Sequence, residues 1–172
     1  MRGKPSHGST MAETTPAAGA TQPQFAIEKL YIKDLSLEVP NAPNIFMEQG
    51  QPSVDLNLHT DGKHIRDDAY HVTLTVTVTA KMGDKTLFLI EVVQGGIFRI
   101  SGVLPDMLPQ VLGITCPNLL YPYAREVVSD VSVRAGFMPI VLQPINFEML
   151  YQQQAQQAQG AAAPEAADGQ KH

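Results

Sequence analysis

Twelve consecutive residues constrain this chain more than any other stretch of it. Tyr70, Val72, Leu74, Val76, Val78 and Ala80 alternate with His71, Thr73, Thr75, Thr77, Thr79 and Lys81. Successive side chains of a strand point to opposite faces, so this run is a strand with one apolar face and one threonine-lined face. Val54, Leu56 and Leu58 alternate with Asp55, Asn57 and His59 in the same way. Strands with one weakly polar face belong to an antiparallel sheet, because parallel sheets are covered on both sides.

Gly83-Asp84 closes a hairpin from the long strand onto Thr86–Gln94. That next strand is apolar on both faces: Phe88, Ile90 and Val92 on one, Leu87, Leu89 and Val93 with Glu91 on the other. Two readings stand side by side, a central strand covered on both sides or a strand whose second face belongs to an interface. Gly95-Gly96 then interrupts the run as a bulge or bend would. Near Phe25–Val39 the apolar residues change phase, from Leu30 and Ile32 to Leu35, Leu37 and Val39. A bulge near Lys33-Asp34 is expected, leaving Asp34, Ser36 and Glu38 on one polar face.

The second half is helical. Asp106 is expected to cap a short helix through about Leu112, and a longer helix to follow Pro117-Asn118. Tyr123, Val127 and Val131, widened by Ala124, Val128 and Ala135, form its apolar stripe, and Gly136 its end. Asn146 caps a final helix with Phe147, Leu150 and Tyr151 on one side. Strands first and helices after give an α+β domain, an antiparallel sheet with helices packed on one face.

This domain should span 25–151, between a disordered N-terminal arm at 1–24 and a flexible Gln/Ala-rich, mildly acidic tail at 152–172. Met11 stands as an alternative start. No apolar run follows Arg2 and Lys4, and none reaches the ~20 residues of a membrane span, so the expected location is the cytoplasm. One cysteine suits a reducing compartment. A net charge of −5 with no basic patch argues against nucleic acid.

Catalytic chemistry finds little support. Cys116 lies between Thr115 and Pro117, without a neighbouring His or Lys to lower its pKa. His59 and His71 could meet across a hairpin near Asp61, Asp67 and Asp68, but the spacing supplies no metal-ligand set. Asp67-Asp68 reads as a solvated turn. No phosphate-cradling loop follows Gly95-Gly96, and no GxSxG elbow is present. What remains is a surplus of apolar side chains over the needs of one small core, the usual mark of an interface or groove.

Four strings in register carry a resemblance. Pro40-Asn41-Ala42-Pro43, Glu91-Val92-Val93-Gln94-Gly95-Gly96-Ile97-Phe98, Cys116-Pro117-Asn118-Leu119-Leu120-Tyr121-Pro122-Tyr123-Ala124-Arg125-Glu126 and Pro144-Ile145-Asn146-Phe147 together resemble the SecB protein-export chaperone family. The resemblance implies a four-stranded antiparallel sheet with a crossover connection after the first strand. It also implies a homotetramer, a dimer of dimers, that is not an enzyme and needs no cofactor or metal. Such an assembly holds unfolded preproteins and passes them to the SecA motor ATPase, whose own tail carries zinc.

Carried onto matching positions, the resemblance puts an assembly-determining face at Phe88, Ile90, Val92 and Gln94. It puts the SecA-docking face at Asp34, Glu38, Leu89 and Glu91. Client grooves would involve Ile45, Phe46, Met47, Val54, Leu56, Leu58, Phe147, Leu150 and Tyr151. One departure stands out: Gly50 occupies a crossover-loop position where relatives commonly have Trp. Two alternatives stay open at this point, a SecB-like chaperone devoted to one client such as an antitoxin, and a small-molecule pocket near Cys116.

Overall fold

A computed structural model describes residues 22–161. The alternating run becomes β3 (Ala69–Met82), flanked by β2 (Ser53–Arg66) and β4 (Lys85–Ser101). β1 (Gln24–Glu38) pairs with the far side of β4, giving one antiparallel sheet in the order β1-β4-β3-β2. The connection from β1 to β2 therefore crosses the whole sheet, with a 3₁₀ turn at Asn44–Met47 on the way. Two-residue turns close the hairpins. Gly83 takes a φ of 59° in one, and Asp67 a φ of 49° in the turn made by Asp67-Asp68.

Register explains the core. Val76 stands opposite Val92 on one side and Leu58 on the other, and Val78 likewise between Ile90 and Leu56. Helix α2 (Cys116–Arg134) lies over β3 and β4 and presents Leu120, Ala124 and Val128 to these columns, all fully buried. Burial at roughly 25 cal/mol per Å² makes this contact the main source of stability. The fold is thus α+β with helices on one face of a four-stranded antiparallel sheet. The two readings of β4 resolve as well: Phe88, Ile90 and Val92 belong to the core, and Leu89, Glu91 and Val93 lie half-buried on the uncovered face.

β4 passes Gly95-Gly96 without a break or a register shift, contrary to the expected bulge. The glycines serve close approach instead. A Cβ on Gly95 would lie 2.7 Å from the Tyr31 ring, and one on Gly96 2.6 Å from Phe98 and 3.0 Å from Leu120. On the open side, Tyr31 thus crosses Gly95 to meet His71, with Tyr31 Oη 2.7 Å from His71 Nε2 and the rings stacked at 6.0 Å. Burial first, then Lys63 and Lys33, push the His71 imidazole below its ordinary value of 6.5, against Asp61.

The bulge between Ile32 and Asp34 is present, and a second, unforeseen one lies between Ile27 and Lys29. Together they keep Phe25, Ile27, Leu30, Ile32, Leu35 and Leu37 on the helix side of the sheet. Without them the stripe would change faces twice. Arg99 ties the strand ends together, its Nε donating to Glu28 at 2.8 Å and an Nη to Asp68 at 2.6 Å.

The helical half departs from expectation in detail. α1 (Leu108–Gln110) runs through a π-helical turn (Val111–Thr115) directly into α2, so no break precedes Pro117. Met107 occupies the N-cap of α1 and no side chain caps it; Asp106 lies in the preceding turn. Tyr123 faces outward, and the buried stripe runs through Pro117, Leu120, Tyr121, Ala124, Val127, Val128 and Val131. Gly136, at φ 89°, ends α2 as expected. Asn146 caps α3 (Phe147–Ala161), its Oδ1 accepting from the Met149 amide at 3.0 Å. That helix runs on into the start of the Gln/Ala-rich stretch, because Gln and Ala are good helix formers. Most of the expected arm and the end of the expected tail lie outside the described residues.

Two outcomes follow for stability. Gly96→Val forces a branched side chain between Phe98 and Leu120 and should cost about 1–3 kcal/mol in denaturant unfolding, more than Gly95→Val, where the half-buried Tyr31 ring can swing aside. Because the unfolded chain takes up the His71 proton before the folded one, stability should fall as pH drops below 6.5. His71→Gln should flatten that slope in melting curves taken across the pH range; an unchanged slope would place the acid sensitivity elsewhere.

Candidate binding surfaces

The open face of the sheet brings four expected residues together. Glu38 stands opposite Leu89, Ser36 opposite Glu91 and Asp34 opposite Val93. These side chains share one flat face, and all three carboxylates carry negative charge into it. Thr77 Oγ1 donates to Glu91 Oε2 at 3.0 Å, which holds that carboxylate in place across β3 and β4. Asp34 Oδ1 accepts from the Leu35 amide at 3.0 Å, as a short polar side chain does beside a bulge. Chemically, the arrangement is an anionic patch around a leucine, suited to a basic segment with an apolar anchor.

Phe88, Ile90, Val92 and Gln94, the residues expected at the assembly-determining face, lie on the core side of β4. None of the four is more than 3% exposed, and Phe88 packs against Phe137 of the segment after α2. Gln94 Nε2 donates to the Tyr31 carbonyl at 3.0 Å, binding β4 to β1, while its Oε1 has no partner among the described residues.

The expected client residues fall into two groups. Ile45 and Phe147 are core residues, each 3% exposed; Ile45 forms part of the groove wall beside Phe46, and Phe147 packs edge-on against Tyr121. Phe46 and Val54 line a groove of about 350 Å³ between the crossover connection, the β3–β4 hairpin and the segment after α2. Met82, Phe137 and Met138 line it too, and were not foreseen. Phe46 packs on Phe137 and Phe137 on Phe88, with ring centroids 5.3 and 5.0 Å apart, so the walls brace one another. Met47 stands beside the groove almost fully exposed, and a Lys85–Glu48 ion pair closes one rim.

From Val54 the helix-side face of β2 continues through Leu56 and Leu58 to Thr60 and Gly62. There a second depression begins, lined by Leu112, Gly113 and Tyr151, whose ring lies where a Cβ on Gly113 would be. Leu150 is half-buried against the core. Phe46, Val54, Leu56, Leu58 and Tyr151 thus mark one apolar track along the β2 edge.

A second apolar tract was not identified as a site from the sequence. On β1, Phe25, Ile27, Ile32, Leu35 and Leu37 are 38–47% exposed and face the helix side, which α2 does not reach. The two phase changes along Phe25–Val39 were the signal available for it.

Nucleophilic and metal chemistry gain nothing from the structure. Cys116 is fully buried at the start of α2, and burial pushes its thiol up to about 12. His59 stands opposite Thr75 and His71 opposite Lys63, so the two histidines do not meet. Among the described residues no three His, Cys, Asp or Glu side chains gather as a metal site, and no helix is long and apolar enough to cross a membrane.

The family model for the preprotein translocase subunit SecB matches residues 18–158. The protein-export protein SecB of Thiobacillus denitrificans is 57% identical over 146 residues, covering 84% of this chain and 96% of that one. That of Dechloromonas aromatica is 59% identical over 142 residues, covering 83% and 93%. Among solved structures, the SecB-like chaperone of Mycobacterium tuberculosis, in complex with a peptide from an antitoxin, superposes with a TM-score of 0.60. It shares 19% identity and covers 70% of this chain and 90% of that one, a likeness of fold. With the family model spanning the sheet, α1, α2 and most of α3, and relatives matching almost end to end, this chain belongs to the SecB family of protein-export chaperones.

Proposed function

We propose that this protein is an ATP-independent holding chaperone that binds unfolded precursor proteins, keeps them competent for translocation and delivers them to the SecA motor. The observation that carries this reading is the apolar side chains left exposed in two tracts, the β2-edge track and the β1 stripe. Unfolded chains expose apolar segments that a folded chain hides, and a shallow track accepts such segments without demanding one sequence. Several weak contacts to one long client sum through effective concentration. Release needs no nucleotide, since transfer to the motor can replace it.

The β1 stripe suits self-association. An unpaired edge strand carrying a row of apolar side chains is unstable in water and gains by covering itself with another copy. A homotetramer built as a dimer of dimers covers such tracts in pairs and sets several client tracks on one particle. Phe88, Ile90, Val92 and Gln94 act in this scheme by supporting β1 and α2 from within. The cytoplasm, where precursors emerge and the motor works, is the place of action.

The acidic face of Asp34, Glu38 and Glu91 around Leu89 is the motor-docking surface in this reading, and zinc belongs to the motor's tail. General export is favoured over service to one client, because the relatives at 57% and 59% identity are named protein-export proteins. A pocket centred on Cys116 is disfavoured by its complete burial.

Two measurements test the proposal. The purified protein should run as a tetramer in light scattering and suppress aggregation of a slow-folding precursor without nucleotide; a monomer without holding activity would sink it. Glu38→Lys and Glu91→Lys should each weaken SecA binding by about five- to tenfold at low salt and less at high salt, with the assembly unchanged. Equal binding by both variants would remove the docking role from this face.

A further inference from the structure

At the crossover end of the client track, one wall of the groove is unlike the rest. Gly50 has no side chain, and the space a Cβ would take is already filled: it lies 2.5 Å from Sδ and 3.0 Å from Cγ of Met82. Met82 is half-buried, and its backbone is held by the hairpin pair with Lys85. Its side chain, with three rotatable bonds and a polarizable sulfur, adapts to irregular gaps at little cost. The neighbouring walls differ, since Phe46, Phe137 and Phe88 are locked by mutual ring contacts.

We propose that Met82 determines what this end of the groove accepts: its thioether fills a subsite under Gly50 and vacates it for one bulky apolar side chain of a bound chain. The glycine and the methionine form a reciprocal pair. A side chain fixed at position 50 would make a rigid wall, whereas a glycine with a movable methionine beneath it makes an adjustable one. This inference rests on the holding function, and it adds a named residue and a ligand feature to it.

The test uses the full chain in its native assembly and two synthetic extended peptides that differ only in a central alanine or tryptophan. The wild type should bind both peptides within about twofold. Gly50→Trp, which presses its indole against Met82, should weaken the tryptophan peptide about tenfold and leave the alanine peptide nearly unchanged. Met82→Ala alone should bind the tryptophan peptide about threefold more tightly, because the subsite then stands open, and should give no such gain when combined with Gly50→Trp, whose indole fills the same space. Met82→Leu keeps the volume but is branched and stiffer; it should bind the alanine peptide normally and the tryptophan peptide about threefold more weakly, a check that survives if the double variant folds poorly. Additive effects of positions 50 and 82, or equal binding of both peptides by Gly50→Trp and Met82→Leu, would overturn the proposal. Binding of neither peptide by the wild type would overturn the holding function along with it.

Discussion

One helix cannot cover four strands. With side chains an α-helix is ~10 Å across, and neighbouring strands lie ~4.8 Å apart, so α2 shields about two of them. It lies over β3 and β4, whose apolar columns are dry. β1 carries an apolar column on the same face, and β2 one through Val54, Leu56 and Leu58, and both stay partly in water. The surplus of hydrophobic side chains in the sequence is therefore a property of layer geometry: the sheet is two strands wider than its cover. Every surface discussed above on the helix side, the β1 stripe and the β2 track alike, is a margin of that one mismatch.

The other face follows from the same layering. No helix packs there, so it must tolerate water, and β3 supplies threonines while β1 and β4 supply carboxylates around Leu89 and Val93. Threonine satisfies both demands, keeping strand geometry through its branched Cβ and offering a hydroxyl, as Thr77 does to Glu91. The sheet thus separates two kinds of surface, apolar at the margins of one side and acidic around Leu89 on the other.

Much of this could be read from residue order because period-2 alternation is a local signal. β3, β2 and their hairpin, the bulge before Asp34, and the caps at Asn146 and Gly136 were all visible in short windows. What could not be read depends on distant partners. Gly95-Gly96 looks like a break until Tyr31 and Leu120 arrive from elsewhere in the chain to need the room. Tyr123 fits the helical period but lies on the wrong side of α2, because Leu120 and Tyr121 set the buried face. The carried-over site residues divide on the same principle: Glu38, Glu91, Asp34 and Leu89 meet on one face, as alternation implies, whereas the burial of Phe88, Ile90, Val92 and Gln94 depends on which side α2 chooses. Met82 was invisible as a groove residue because its relation to Gly50 exists only after the crossover has passed over the hairpin.

The two bulges of β1 do more than align its apolar stripe. A regular edge strand offers evenly spaced donors and acceptors that any extended segment can extend, which is the route to indiscriminate polymerisation. β1 breaks that spacing after Ile27 and again after Ile32. A strand adding to its outer edge must accommodate both irregularities at matching distances to keep a continuous ladder. An arbitrary extended segment lacks that spacing and pairs poorly with this edge. The irregularity of β1 thus makes its outer edge a selective template, one that only a strand of matching spacing can extend.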